Sequence, residues 1–445
     1  MSREDVEEFA QQDMVVQSAL LKIPSISAQN KGIEETKTYL MQKFKDLGAK
    51  KVEEWHEPGA NPVVFAEFSG QADKTVLFYN HYDVQPPEPL EEWRTEPFEP
   101  TFADGYLYAR GAGDDKGELM SRLSVVSYFQ SHGGLPCNLK FFVEGGEEVG
   151  SPKVPDFVAH HKAALQTDVC VWEGGDKSSE ENYDITTGVK GIVSFDLAVK
   201  TADVDIHSSL AAYVDNAAWR LVEALSSLKD SETGEVLVEG FYKDVEGLDE
   251  STQRVVETMD FDEETVRRTY GLRRPLVTND PKYALVNAPT MTVNGLSSGY
   301  EGDGVKTIVP KEARAKLDCR LVPSQDPETI FHLVEAQLKK NGYGDVKATF
   351  NLGEDAFRSD INDPFVKACV QTAKQVYGQE RAKLIPNSAG GGPEKPFFDN
   401  LQVPVVSIGV GYAKSGAHAP NENIRVKDYQ EGVYYFTELF KNFAN

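Results

Sequence analysis

Four short runs of almost unbroken apolar residues constrain this chain most, because each one stops at a cluster of acids, histidines or glycines. They are residues 75–79 (TVLFY), 139–143 (LKFFV), 169–172 (VCVW) and 403–410 (VPVVSIGV). Runs of this length without alternation suit strands buried on both faces, as in a largely parallel sheet under helices. Residues 116–132 lie between the first two runs. They carry apolar residues at helical spacing and stop at Gly133-Gly134. Helical spacing also marks residues 5–47, interrupted at Pro24-Ser25.

The middle of the chain has another pattern. Val193, Phe195, Leu197 and Val199 alternate with other residues, as do Ala313, Ala315, Leu317, Cys319 and Leu321. Alternation implies strands with two different faces. With helical stretches near 216–228 and 327–340, and strand-like runs at 290–293 and 346–352, the order is strand, helix, strand, strand, helix, strand. That is the split βαβ arrangement. The expected fold is α/β: a mainly parallel-sheet domain with an inserted α+β domain of split βαβ, ferredoxin-like order. The boundaries read as 1–186 and 356–445 for the first domain and 187–355 for the insert. Helical signals at 244–270 embellish the insert.

The 445 residues exceed one ordinary core, and 40% hydrophobic with 26% charged residues suits a folded chain. Against 46 Lys plus Arg stand 71 Asp plus Glu, a formal net charge of -25. Such a surface repels phosphate, which argues against a nucleic-acid partner. The start MSRED lacks a basic segment followed by an apolar one. No apolar run nears the ~20 residues of a membrane helix. The four cysteines, Cys137, Cys170, Cys319 and Cys369, are widely spaced and read as buried thiols. A cytoplasmic protein is expected.

The chemistry sits just past the apolar runs, where open α/β sheets bind ligands. His81 follows the first run, and Asp83 is placed to hold its second ring nitrogen. Asp114 and Asp115 stand in a glycine-rich turn ahead of a helix. Glu147 and Glu148 follow the second run between glycines; one can ligate a metal while the other takes a proton from water. Glu173 ends the third run, and His418 follows the last. Each cluster alone reads as a surface pair or an acidic turn. Together, two histidines and several carboxylates form a mixed N/O set suited to Zn²⁺ or Mn²⁺. Residues 295–299 (GLSSG) match the G-x-S-x-G pattern but lack a strand-to-helix setting, and read as a loop.

In this order and spacing, YNHYDVQP (79–86), LYARGAGDDKG (107–117), EGGEEVGS (144–151) and GAHAPNE (416–422) resemble the M20 family of metallopeptidases, most closely its carnosinase and cytosolic nonspecific dipeptidase branch. The resemblance implies two divalent ions per chain, with Asp114 bridging. His81 and Glu173 would complete one site, Glu148 and His418 the other. Asp83 would orient His81, and Glu147 would be the general base. Asp205-Ile206-His207-Ser208 resembles the family's D-x-H-S, whose His binds the substrate carbonyl oxygen. Thr307 and Arg320 resemble residues that hold the substrate's far end, Arg320 taking its carboxylate. Where the dipeptidase branch tends to carry Ser after a Gly-Gly pair, Gly390-Gly391 is followed here by Gly392.

The resemblance implies a homodimer that hydrolyses dipeptides or similar small amides, the larger domain being catalytic and the insert a lid and dimerisation domain. An N-acyl amino acid deacylase or desuccinylase would use the same metal site, the pocket deciding between them. A metal-binding protein without catalysis would need no base beside its ligands.

Overall fold

In the computed structural model, which describes residues 2–444, the chain forms two compact units. The first comprises Met1–Gly188, Ser359–Pro386 and Pro393–Asn445; the second comprises Val189–Arg358 and Asn387–Gly392.

An eight-stranded sheet organises the first unit. Its order is Lys51–Trp55, Val63–Phe68, Cys137–Glu144, Ala72–His81, Val169–Trp172, Val405–Ser407, Tyr183–Thr186 and Ala382–Ile385. The central strands run parallel: Ala72–His81 pairs with both Cys137–Glu144 and Val169–Trp172, and Val405–Ser407 pairs with Val169–Trp172. The apolar runs found in the sequence are these central strands, and they are buried on both faces. The helices Arg3–Gln17, Lys116–Ser131, Pro364–Tyr377 and Val426–Ala444 contribute to the same core, with Phe78 set against Phe141, Phe436 and Phe440. Lys116–Ser131 is buried almost all round. It ends where Gly133 and Gly134 take positive φ, 103° and 95°.

Arg122, fully buried on that helix, donates to the carbonyl oxygens of Tyr79 (2.7 Å), Trp172 (2.9 Å) and Ile408 (3.4 Å). These carbonyls lie where three neighbouring chain segments leave the sheet. One guanidinium thus levels the points from which His81, Glu173 and the loop toward His418 depart.

The second unit is a four-stranded antiparallel sheet in the order Thr290–Ser298, Glu312–Leu321, Gly191–Lys200, Lys347–Glu354. Val193, Phe195, Leu197 and Val199 face a core completed by the helices Ala217–Ser226 and Pro327–Lys340. The split βαβ order read from alternation is the order found. Residues 295–298 are strand and not loop: Gly295 to Ser298 pair with Lys316 to Ala313 after a bulge at Val293. The bulge removes the even alternation that would have marked the strand. The insert's extra helices are Glu250–Thr258, Glu263–Tyr270 and Pro281–Asn287. No helix among the described residues is long and apolar enough to cross a membrane. All four cysteines are buried and unbridged.

Candidate active site

His81 is the last residue of its strand and faces Glu144, the last of the neighbouring one. A short turn, Glu147–Val149, follows Glu144. Glu173 is the first residue after Val169–Trp172, and Asp114 precedes the buried helix Lys116–Ser131. The strand ends therefore deliver these side chains to one edge of one sheet.

There, His81 Nε2 lies 2.9 Å from Asp114 Oδ1, 3.6 Å from Glu173 Oε2 and 3.9 Å from Glu147 Oε2. His418 Nε2 lies 3.0 Å from Asp114 Oδ2 and 3.2 Å from Glu148 Oε2. The two oxygens of Asp114 thus face one histidine each. Two groups of potential ligands result, His81 with Asp115 and Glu173, and Asp114 with Glu148 and His418. Asp115 in the first group was not singled out from the sequence. Its Oδ2 is engaged by Asn80 Nδ2 (2.7 Å) and the His81 N–H (3.0 Å), which leaves Oδ1 to the site.

Asp83 acts in two ways. Its backbone carbonyl lies 3.0 Å from His81 Nδ1, nearer than its carboxylate at 3.4 Å. A carbonyl can only accept, so Nδ1 carries a proton, and Nε2 is the nitrogen that a neutral ring would present to a metal. The carboxylate, expected from the sequence to hold His81, mainly accepts the N–H groups of Glu147 (3.2 Å) and Glu148 (3.1 Å). One buried residue thereby positions both a histidine and the paired glutamates. Glu148 is further held by Gln85, whose N–H and side-chain amide donate to its two oxygens at 3.1 and 2.7 Å.

The loop carrying Asp114 rests on Glu422. This buried carboxylate accepts from Arg110 Nη1 (2.7 Å) and from the N–H groups of Gly111 (2.9 Å), Gly113 (2.7 Å) and Asp114 (2.9 Å). Glu422 reaches it because Asn423–Arg425 pairs antiparallel with Tyr106–Tyr108. Its place in the GAHAPNE stretch was legible; its role was not, since its partners lie some 310 residues away.

Carboxylates crowd this edge, and the charges show it. Burial pushes Glu147 up to about 7, with Asp114, Glu148 and Asp83 adding to the shift and His81 opposing it. Burial likewise raises Glu173 well above the ordinary range. Burial disfavours a charged His81, yet Glu173, Asp114 and Asp83 outweigh it and hold its pKa well above normal. Hydrogen bonds to Asp114 and Glu148 raise His418 to about 10. Such a field attracts cations. Glu173 Oε2 and Asp115 Oδ1 are buried without a hydrogen-bond partner. Oriented imidazole nitrogen, carboxylate oxygens and unpaired buried oxygens fit divalent ions of the Zn²⁺ or Mn²⁺ kind.

His207 and Thr307 belong to the second unit, on a short ribbon where His207 pairs with Ile308 and the Ser208 N–H donates to the Thr307 carbonyl (3.1 Å). The Ser209 N–H donates to His207 Nδ1 (3.2 Å), so the proton of a neutral His207 sits on Nε2, and the ring is exposed. Arg320 lies on Glu312–Leu321 near Gly391.

Residues 77–442 match peptidase family M20/M25/M40. The chain belongs to this family. It is 29% identical over 409 residues to a Beta-Ala-His dipeptidase of Rattus norvegicus, covering 89% of this chain and 82% of that protein. It is 26% identical to the Cys-Gly metallodipeptidase dug1 of Schizosaccharomyces pombe, covering 96% and 94%. Among solved structures, the M20 family metallo-carboxypeptidase Sso-CP2 of Sulfolobus solfataricus superposes with a TM-score of 0.89 at 38% identity, covering 97% and 99%.

Replacing Glu422 by Ala would leave Arg110 charged and buried and three N–H groups without their acceptor. Breaking a buried pair in this way costs about 3–5 kcal/mol. Glu422→Ala should therefore lower the urea midpoint strongly. Glu181→Ala, which removes a partner of the part-exposed Arg425 (2.6 Å), should change the unfolding free energy by only about 1 kcal/mol or less and so move the midpoint little. Equal shifts would refute the role given to Glu422.

Proposed function

We propose that the chain is a two-metal dipeptidase in which Glu147 is the general base. The observation that carries this reading is the division of Asp114 between two histidines, with Glu147 beside the ligands but outside both groups. His81, Asp114 and Glu173 would hold one ion, and Asp114, Glu148 and His418 the other, Zn²⁺ or Mn²⁺ suiting both. When bound, such ions supply the Lewis acidity that makes water and a scissile carbonyl reactive near neutral pH. Glu147 takes the proton of the attacking water at its carboxylate and returns it to the leaving amine. Asp83 fixes the turn from which Glu147 projects. His207, with its Nε2–H free, donates to the developing oxyanion. Thr307 and Arg320 hold the far end of the substrate, the planar guanidinium matching a carboxylate. The dipeptidase names of the relatives support a small substrate with both ends recognised.

We infer further that the enzyme is a cytoplasmic homodimer, with His207 serving the active site of the partner. Buried, unbridged thiols support a reducing compartment. The placement of His207 in a different compact unit from every proposed ligand supports delivery by another body.

A carboxypeptidase reading is favoured by the 38% identity to a metallo-carboxypeptidase. It shares the need for a free carboxylate and differs at the amino end.

Three measurements test the proposal. Glu147→Gln should retain two ions per chain by elemental analysis while losing roughly 10²–10⁴-fold in kcat. A near-normal kcat, or the loss of an ion, would remove Glu147 from this role. Amidating the C-terminus of a good dipeptide should lower kcat/KM about 10- to 100-fold, the worth of a charge-assisted bidentate pair. N-acetylation or extension to a tripeptide should also lower it for a dipeptidase, and leave it nearly unchanged for a carboxypeptidase. Finally, mixing His207→Ala with Glu147→Gln chains should restore activity on subunit exchange, because one site of each heterodimer carries neither lesion. Proven heterodimers without recovery would place His207 in its own chain's site.

A further inference from the structure

The second unit gathers three cationic side chains near the Asn387–Gly392 loop, and they differ in what they hold. Lys190 Nζ donates to the carbonyls of Ala284 (2.8 Å) and Ala288 (2.7 Å). Arg358 donates to the Val286 carbonyl (3.2 Å), to Asn287 Oδ1 (2.9 Å) and to Asn387 Oδ1. Both are occupied by the protein itself. Among the described residues, the guanidinium of Arg320 has no hydrogen-bond or ion-pair partner, and neither has the half-buried carboxylate of Glu354.

Register places these two unpartnered groups in one row. Arg320 and Glu354 pair with Ile192 from opposite sides, on the strands flanking Gly191–Lys200. The next residue, Val193, faces the helices, so the row lies on the other face of the sheet. The two side chains meet at Gly391. A Cβ at that position would stand 2.9 Å from Glu354 Oε2 and 3.7 Å from Arg320 Nη1. An acceptor and a donor of opposite charge thus border one small space beside Gly391, which a Cβ would narrow by pressing on the Glu354 carboxylate and, at 3.2 Å, on the Lys190 carbonyl. Burial raises the Glu354 carboxyl and the nearby charge of Arg320 opposes that rise, yet the two do not close into an ion pair.

We propose that Glu354 determines specificity for a basic side chain on the substrate residue that carries the free carboxylate, Arg320 taking the carboxylate and Glu354 the cation. The proposal rests on the reading of Arg320 given above. A zwitterionic end would satisfy both groups at once, whereas a neutral or acidic side chain would leave Glu354 unpaired in a half-buried place.

The test compares alanyl-lysine with alanyl-norleucine, which match in length and differ in charge, and adds alanyl-glutamate, using the metal-loaded enzyme. Wild type should prefer lysine over norleucine about tenfold in kcat/KM, the order expected of a charge-assisted bond. Glu354→Gln should bring that ratio close to one while leaving the norleucine substrate within about twofold. Glu354→Lys should turn the preference toward glutamate. A lysine preference that survives in Glu354→Gln overturns the proposal, as does a variant that slows both substrates equally, which would make Glu354 a support for Arg320. If wild type cleaves none of the three, the dipeptidase reading fails and binding decides the matter of Glu354. Calorimetry on metal-loaded Glu147→Gln should then show tighter alanyl-lysine than alanyl-norleucine, and equal affinities overturn the proposal.

Discussion

One buried guanidinium sets the geometry on which the site depends. A parallel sheet loses its ladder where its strands end, and the last carbonyls there need donors. Arg122 supplies them to Tyr79, Trp172 and Ile408 from the middle of a buried helix. Burying an unpaired cation would be costly, and Glu118 lies 3.8 Å from Arg122 as a partial counter-charge. Glu118 in turn accepts the N–H groups of Val410 (2.7 Å) and Gly411 (3.0 Å), so the same pair steers the loop beyond the last central strand. Stacking adds stiffness above it: the rings of Tyr79 and Trp172 lie parallel, 3.5 Å between centroids, each ring just ahead of a strand-end segment that leads to a site residue. Such a pair is worth about 0.5–1.5 kcal/mol beyond its burial.

On this base the site is assembled by carboxylates that do not touch the chemistry directly. Glu422 shapes the Asp114 loop, and the Asp83 carboxylate shapes the Glu147–Glu148 turn. Each spends its lone pairs on backbone N–H groups, which fixes the main chain and leaves the outward side chains to the ligands. This division explains how so many acids can share one edge. Those bonded to N–H donors carry compensated charge. Those that face one another, Asp114, Glu147, Glu148 and Glu173, are left with a repulsion that a cation relieves. The high pKa values of His81 and His418 express the same imbalance, each imidazole drawn toward the charge that the acids demand.

The legible part of the fold was the part with periodicity. Runs buried on both faces announced the central strands, alternation announced the four-stranded sheet, and the helices 116–131 and 327–340 stood out by spacing and stops. Among the residues proposed as ligands, His81 ends a strand and Glu173 follows one directly, whereas Asp114, Glu148 and His418 stand on the loops and turns beyond, so the sequence signal was strongest for the first two. What stayed hidden involves partners remote in sequence or contacts made by the main chain. Glu422 reaches Arg110 only through a strand pairing of distant segments. The His81 orienter is chiefly a carbonyl, which no residue type advertises. Asp115 carried no metal assignment from the sequence; burial leaves one of its oxygens without a hydrogen-bond partner. The Asn387–Gly392 loop read as a plain glycine-rich stretch; contacts place it in the second unit, where its glycine at 391 matters for what it leaves unfilled.

The two units also separate two kinds of demand on precision. Holding ions and a base, as proposed for the first unit, would require closely fixed side chains, and that unit offers strand ends, a buried helix and compensated carboxylates for it. Recognising one substrate among many requires exchangeable groups, and in the reading proposed above these would be the residues of the second unit on an exposed ribbon and on the sheet face away from its helices. There, a change at position 354, 391 or 392 alters charge or space without touching the core formed by Val193, Phe195 and the two helices. The energetic cost of changing a half-exposed side chain there is small. The cost of moving Asp114 is not, since Asp114 is fixed at both ends, its N–H on Glu422 and its two oxygens each facing a histidine.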